Sequence, residues 1–463
     1  MESSSESGQV ADDSIEVVVS LPSGRCEAVA AQQSGTIADL KVAAQQSLGQ
    51  GFLRLATPDG RLLDPTESLL LSGLQNGDSL TAVAQQPKIA ATWYAFALWC
   101  VGGDRIVTWG DPDEGGDSSS VQDRLRNVQQ ISSTYCAFAA ILADGSVVTW
   151  GHPDNGGDCS RVQDHLRNVQ QIYGTFGAFA AILADESVVT WGDPDVGGDS
   201  SGIQDQLRSV QRISSTTYAF AAILADGSVV TWGDPDEGGD SSRVQDQLTN
   251  VQQISGTDGA FAAILADGSV VTWGDPDHGG DSSRVQDELK NVWHICGTHH
   301  AFAAILADGS VVTWGHPDNG GDCSRVQDHL RNVQQIYGTF GAFAAILADG
   351  TVVTWGDPQH GGDSSGVQDQ LRNVRRICGA ADAFAAILAD GSVVTWGNPA
   401  WGGDSSRVNQ LTDVQQVNAT LAPGQDSLTG AFAAILADGS VVTWGDPNSG
   451  GASSMVQDQF RYI

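Results

Sequence analysis

The chain has 463 residues, 41% of them hydrophobic, with 56 Gly, 14 Pro, 17% charged residues and a net charge of −34. That length calls for several domains or a repeat array, and the glycine content with few charges calls for tight turns rather than long surface helices. So acidic a surface repels nucleic acid and anionic lipid, which need clustered Lys and Arg; it suits a basic protein partner or plain solubility. No run approaches 18 uncharged apolar residues, and Met1 to Ser14 lacks a signal-peptide pattern. Seven cysteines without a CxxC pair fit free thiols in a reducing compartment, so the expected location is intracellular, cytoplasmic or nuclear.

In chain order, residues 1–13 read as a disordered tail rich in Ser and acid. Residues 14–84 follow as a small α+β unit. Ile15-Glu-Val-Val-Val-Ser-Leu-Pro-Ser-Gly24-Arg predicts strand, turn and second strand. Thr36-Ile-Ala-Asp-Leu-Lys41 predicts a helix capped by Thr36, with Asp39 completing a capping-box variant. Later strands are predicted at Phe52-Leu-Arg-Leu55, Asp59-Gly-Arg-Leu-Leu63 and Asp78-Ser-Leu-Thr-Ala-Val83. This order resembles a ubiquitin-like β-grasp domain. No Gly-Gly follows Val83, so the resemblance does not extend to conjugation. It places the receptor-reading apolar patch near Ala56 and Val83, where Ala56 is small. Residues 85–94 are predicted to be a linker.

Residues 95–463 are a repeat array. Thr-Trp-Gly recurs with its indole at Trp109, Trp150, Trp191, Trp232, Trp273, Trp314, Trp355, Trp396 and Trp444, at intervals of 41 residues until a final 48, whose extra seven fall around 421–429. Within one copy, Ala137-Phe-Ala-Ala-Ile-Leu-Ala143 and Ser146-Val-Val-Thr-Trp-Gly151 flank Asp144-Gly145, a hairpin signal because that turn needs positive φ. A third strand is predicted at Asn127-Val-Gln-Gln-Ile131, and Val121 to Leu125 reads as an edge strand or one helical turn. Phe138, Ala140 and Leu142 would line one face and Ala139 and Ile141 the other, so both faces need cover. Stacking like units side by side, with the nine tryptophans as structural packing, supplies it. The two ends look complementary, as though a C-terminal strand at Val456 to Phe460 completes the first sheet.

The repeat core resembles that of the RCC1 (regulator of chromosome condensation) family, most fully at Val292 to Gly309, which carries the family's "Cys-Gly-x-x-His" step at Cys296, Gly297 and His300. The resemblance implies a β-propeller used for protein binding, and the indole spacing gives it about nine units. It departs in unit length, in unit number and in replacement of that His by Cys136, Gly177, Tyr218, Gly259 and Asp382. The expected function is a non-catalytic scaffold or adaptor, linked to the ubiquitin pathway through the N-terminal domain. The alternatives are an exchange factor for a small GTPase and a calcium-stabilised structural repeat protein. No catalytic constellation, cofactor or nucleotide loop is found.

Asp111, Asp113 and Asp117 read as turn caps rather than calcium ligands, since other copies replace them. A zinc set of Cys296, His299 and His300, with His278 and His294 nearby, is set aside because adjacent histidines on an extended segment point apart; no metal is expected. Two slots vary among copies. One precedes each Gly-Gly: Glu114, Asn155, Val196, Glu237, His278, Asn319, His360, Trp401 and Ser449. The other holds Tyr135, Phe176, Thr217, Asp258, His299, Phe340 and Ala381. Variation on a constant scaffold marks recognition loops. The residues expected to bind a partner are Trp293, His299, His300, Trp401, Tyr135, Phe176 and Phe340, with Trp293 and Trp401 exposed.

Overall fold

The computed structural model describes residues 14–85, 87–103, 105–404, 406, 408–420 and 430–463; the expected tail at 1–13 and the insertion at 421–429 lie outside the described residues. The chain divides into two compact units.

In the first unit, alternating apolar residues of Ser14–Ser20 (β1) bury Ile15, Val17 and Val19 on one face. Its partners are Cys26–Gln32 (β2), Leu53–Ala56 (β3) and Ser79–Ala84 (β4), in the order β2-β1-β4-β3. β1 runs parallel to β4 and antiparallel to β2, and Ile37–Leu48 (α1) covers the sheet with Ile37, Leu40, Ala44 and Leu48. This is the β-grasp arrangement. The capping box forms as the sequence requires: Thr36 N donates to Asp39 Oδ2 at 2.8 Å, and Asp39 N donates to Thr36 Oγ1 at 3.4 Å. Ala56 is buried while Val83 is 38% exposed, so the anticipated apolar patch keeps one of its two members. Gln457–Tyr462 belongs to this unit as 3-10 turns, and buried Lys41 of α1 donates to the carbonyl of Ile463. The expected C-terminal strand is therefore absent.

The second unit is a ring of nine three-stranded antiparallel sheets. The first blade is Pro87–Ala91 (β5), Ala95–Cys100 (β6) and Ile106–Gly110 (β7). Half of the segment read as a linker is thus strand: it is β5, not the C-terminus, that completes this sheet. The second blade is Val128–Ser133 (β8), Ala137–Leu142 (β9) and Val147–Gly151 (β10), and seven more repeat it. The ambiguous segment after the Gly-Gly is a turn rather than an edge strand, helical at Gln122–Arg124, Gln245–Gln247 and Gln327–His329.

Each blade is apolar on both faces because each face enters a different core. Phe138, Ala140, Val148 and Trp150 pack with Ala95, Ala97 and Trp99 of the first blade. Ala137, Ala139, Ile141 and Val147 pack with Phe179 and Trp191 of the third. The indole of every blade stacks on that blade's own Phe, as Trp150 does on Phe138 with centroids 5.1 Å apart. Its Nε1 then donates to a Gly carbonyl of the preceding blade's loop, Trp150 to Gly115 at 3.1 Å. The same bond closes the ring: Trp109 Nε1 donates to Gly450 O at 3.1 Å, 341 residues away. Asn418 Nδ2 of the ninth blade also donates to Ile89 O of β5 at 3.0 Å.

The Asp-Gly turn puts Gly145 at φ +76°, but one copy reads Asp185-Glu186 and holds Glu186 at φ +65°. An L-residue there costs about 1–2 kcal/mol, partly offset because Gly gains freedom when unfolded. Glu186→Gly is expected to raise unfolding free energy by about 1 kcal/mol, read as a higher urea midpoint at constant slope. A lower midpoint would mean that the 3.1 Å bond from Gln211 Nε2 to the Glu186 carboxylate outweighs the strain.

Candidate functional site

The first strands of seven blades end at one cavity in a small residue, Ala91, Ser133, Gly174, Ser215, Gly256, Gly297 or Gly338. Small size is required at these glycines: a Cβ on Gly174 would lie 2.1 Å from Ser133 O, and one on Gly297 2.5 Å from Gly256 O. Two residues beyond the strand, a girdle of backbone bonds runs from blade to blade. It passes from Trp93 through Tyr135, Phe176, Thr217, Asp258, His299 and Phe340 to Ala381, each N–H donating to the next carbonyl at 2.7–3.1 Å. These are the residues of the second variable slot, joined at the front by Trp93. Their side chains rim a cavity of about 390 Å³.

The rim divides by chemistry. Tyr135 and Phe176 stack at 4.5 Å, and Trp93 sits edge-on to Tyr135 at 3.6 Å. Tyr135 also shares a 3.0 Å hydroxyl contact with Tyr94; burial and that bond push its phenol well above the usual range. Opposite lies a polar arc in which Thr217 Oγ1 donates to Asp258 Oδ1 at 2.7 Å and His299 Nδ1 pairs with Asp258 Oδ2. Phe340 then closes on His299, ring centroids 4.0 Å apart.

The other variable slot reaches the polar arc. Glu237 and His278, each preceding a Gly-Gly, lie beside Asp258 and His300, and the His278 and His300 rings stack at 4.5 Å. His278 Nδ1 faces Asp275 Oδ2 at 3.0 Å and Glu237 Oε2 at 3.4 Å. The Glu237 carboxylate holds His278 above the usual imidazole range, whereas burial and the surrounding imidazoles push His300 down to about 4. Two sets of groups could each hold a metal ion: Asp258, His299 and His300, and Glu237, Asp275 and His278, with ligand atoms within 4.8 Å in each. Further round, His360 Nδ1 meets Asp357 at 3.1 Å and its Nε2 meets buried Asp382 at 3.2 Å.

No protein-family model matches the chain, and no curated protein matches it. Among solved structures it is similar to Prp20p from Saccharomyces cerevisiae, at 14% identity over 58% of this chain and 82% of that one, TM-score 0.36. It is similar to human WBSCR16 at 14% identity, over 57% and 88% of the two chains, TM-score 0.35. A ubiquitin-like domain from Arabidopsis thaliana matches at 18% identity over 18% of this chain and 90% of that domain, TM-score 0.15. The blades and their closure define the fold: the Asp-Gly to Thr-Trp-Gly core forms the hairpin of each blade. The ring is an RCC1-like propeller.

Of the residues expected to bind a partner, the RCC1-like ring brings Tyr135, Phe176, His299 and Phe340 to one rim, with His300 just behind. Trp293 is exposed as expected, at 51%, but it sits at the start of its strand, in the bulge between the Val292–Leu306 and His294–Ile305 pairs, the end away from the girdle. Trp401 is half-buried rather than exposed, because its turn packs against Gly430. Cys296 lies in the core between blades, its thiol raised to about 12 by burial, and stands in neither potential metal set. His299 and His300 follow the strand in a bend rather than an extended segment, which lets both approach Asp258. Asp111 and Asp117 accept their own loops' amides from Asp113 and Ser119, at 3.0 and 2.8 Å, as turn caps do. Sequence reasoning missed Trp93 and Tyr94, which stand in the segment read as a linker; their spacing of 42 and 41 residues from Tyr135 was the available signal.

Proposed function

We propose that the chain is a non-catalytic protein-binding platform, and that the rimmed cavity takes a basic segment of its partner. The observation that carries this reading is that one variable slot rims a single cavity, half aromatic and half carboxylate–imidazole, with Glu237 and His278 of the other slot beside its polar arc, on an otherwise repeated scaffold. Rigid aromatics at low entropic cost are what binding hot spots use, and the Tyr and Trp faces attract Lys or Arg through their ring quadrupoles. The carboxylates of Glu237, Asp258 and Asp275 add complementary charge, and the repeat region carries most of the chain's net −34. The β-grasp domain makes the chain an adaptor in this reading, a second module beside the platform.

Screening the full chain against a displayed peptide library tests it. Selected peptides are expected to be enriched in Lys and Arg, and their affinity to fall as salt rises. Tyr135→Ala/Phe176→Ala is expected to weaken them by about 30-fold, the effect of losing a hot spot worth roughly 2 kcal/mol. Trp293→Ala, at the far end of its strand, should leave binding unchanged. Equal loss from Trp293→Ala, or selection of acidic peptides, would overturn the reading.

A further inference from the structure

Glu237, Asp275 and His278 come from two successive turns, Pro235–Gly239 and Pro276–His278, each held by a Pro at its start and an Asp cap. Three features mark the space between them. Glu237 Oε2 and His278 Nδ1 are buried atoms that find no hydrogen-bond partner among the described residues. One nitrogen also faces two carboxylates, at 3.4 and 3.0 Å. Finally, Gly259 opens the space: a Cβ there would lie 1.6 Å from Glu237 Oε2 and 2.6 Å from His278 Nδ1. At the same position other copies place Cys136, Tyr218, His300 or Asp382.

Elsewhere in the ring His360 faces two carboxylates through separate nitrogens, Nδ1 to Asp357 at 3.1 Å and Nε2 to Asp382 at 3.2 Å. At His278 both carboxylates converge on a single nitrogen, as ligands converge on an ion. We propose that Glu237, Asp275 and His278 form a binding site for one divalent first-row transition-metal ion of the zinc class. An imidazole with two carboxylate oxygens suits Zn²⁺, Co²⁺ or Mn²⁺, whereas Ca²⁺ takes six or more oxygens. The three side chains are 18–31% exposed, so water or a group from a partner completes the coordination. The neighbouring set of Asp258, His299 and His300 is already occupied internally, since Thr217 and His299 both engage the Asp258 carboxylate. The site stands independently of the peptide-binding reading.

The test strips the full chain with a chelator, then titrates Zn²⁺ by calorimetry and Co²⁺ by its visible absorption. One equivalent is expected to bind. His278→Ala and Glu237→Gln should each weaken it by at least about 100-fold, beyond the roughly 10–100-fold typical of an outer-shell loss. Gly259→Ala, which removes no ligand, should weaken it too by displacing Glu237, and His360→Ala should not. Urea midpoints in chelator check that each variant folds; should His278→Ala fail to fold, Glu237→Gln and Gly259→Ala decide. The assignment is overturned if the parent chain retains no zinc after gel filtration, if His278→Ala binds as the parent does, or if only His299→Ala and His300→Ala abolish binding.

Discussion

Trp314→Ala is expected to destabilise the ring by about 4 kcal/mol, the middle of the roughly 3–5 kcal/mol that removing a buried aromatic costs. Trp314 is 4% exposed and belongs to the core that joins the fifth and sixth blades, with Ala260, Ala262, Ile264 and Phe302. Its ring stacks on Phe302 at 5.1 Å, and its Nε1 donates to Gly279 O at 3.0 Å. The substitution removes three contributions together: apolar burial, the stack, and a bond that ties one blade to the loop of the one before. Trp314→Phe separates them. It keeps an aromatic in the core but strands the Gly279 carbonyl, so about 1–3 kcal/mol of the loss should remain. Urea unfolding of the three proteins measures this. A loss below about 1 kcal/mol for Trp314→Ala would show that the indoles fill space without joining the blades.

The blades were legible in the sequence because the features that make them are local and repeated. Asp-Gly fixes the hairpin, Val147 and Val148 point to opposite cores, and the constant spacing of the indoles counts the units. The seam was not legible. β5 presents only Ile89 as a buried side chain, and a five-residue strand beside Pro87 has no period to read, so the segment looked like a linker. Val456 to Phe460 looked like the missing strand because it copies the segment after each Gly-Gly, yet that segment is a turn, helical at Gln122–Arg124, Gln245–Gln247 and Gln327–His329, and Gln457–Tyr462 is helical too. The candidate site was half legible. Variation among copies picked out Glu237 and Asp258, but they are 21 residues apart, and only ring curvature brings one copy's turn to the next copy's girdle. His299 and His300 were separated on paper by assuming extended backbone, where Thr298 in fact ends the strand: its Oγ1 accepts from Ala301 N at 3.1 Å and bends the chain. Local pattern reveals strands; it does not reveal which loop tips a closed ring will bring together.

Gly320→Ala is expected to cost about 3 kcal/mol, a large effect for one methyl group. The first glycine of each Gly-Gly pair has positive φ, +97° at Gly320, which costs an L-residue about 1–2 kcal/mol. The added Cβ would also lie 2.6 Å from Phe343 Cδ2 and 2.8 Å from Cε2. Phe343 cannot retreat, because it is fully buried and stacked on Trp355 at 5.2 Å. Overpacking of this kind costs about 1–3 kcal/mol. The Gly320 carbonyl accepts the Trp355 indole at 3.0 Å, so any shift of the loop also disturbs the bond between blades. The second glycine is constrained for another reason. Gly321 has no positive φ, but a Cβ there would meet the Gly315 carbonyl oxygen at 2.5 Å, a backbone atom with nowhere to go. Gly321→Ala should therefore destabilise as well, without the conformational part. Gly366→Ala is the control: nothing lies within 4 Å of its Cβ position and its φ is not positive, so it should be neutral or slightly stabilising. If urea midpoints place Gly320→Ala beside Gly366→Ala, the close packing of loop on aromatic, and with it the reason every copy keeps Gly-Gly, is wrong. If they separate as described, the glycines and the tryptophans are two halves of one joint, the loop supplying a carbonyl and the empty space that the next blade's indole and phenyl ring require.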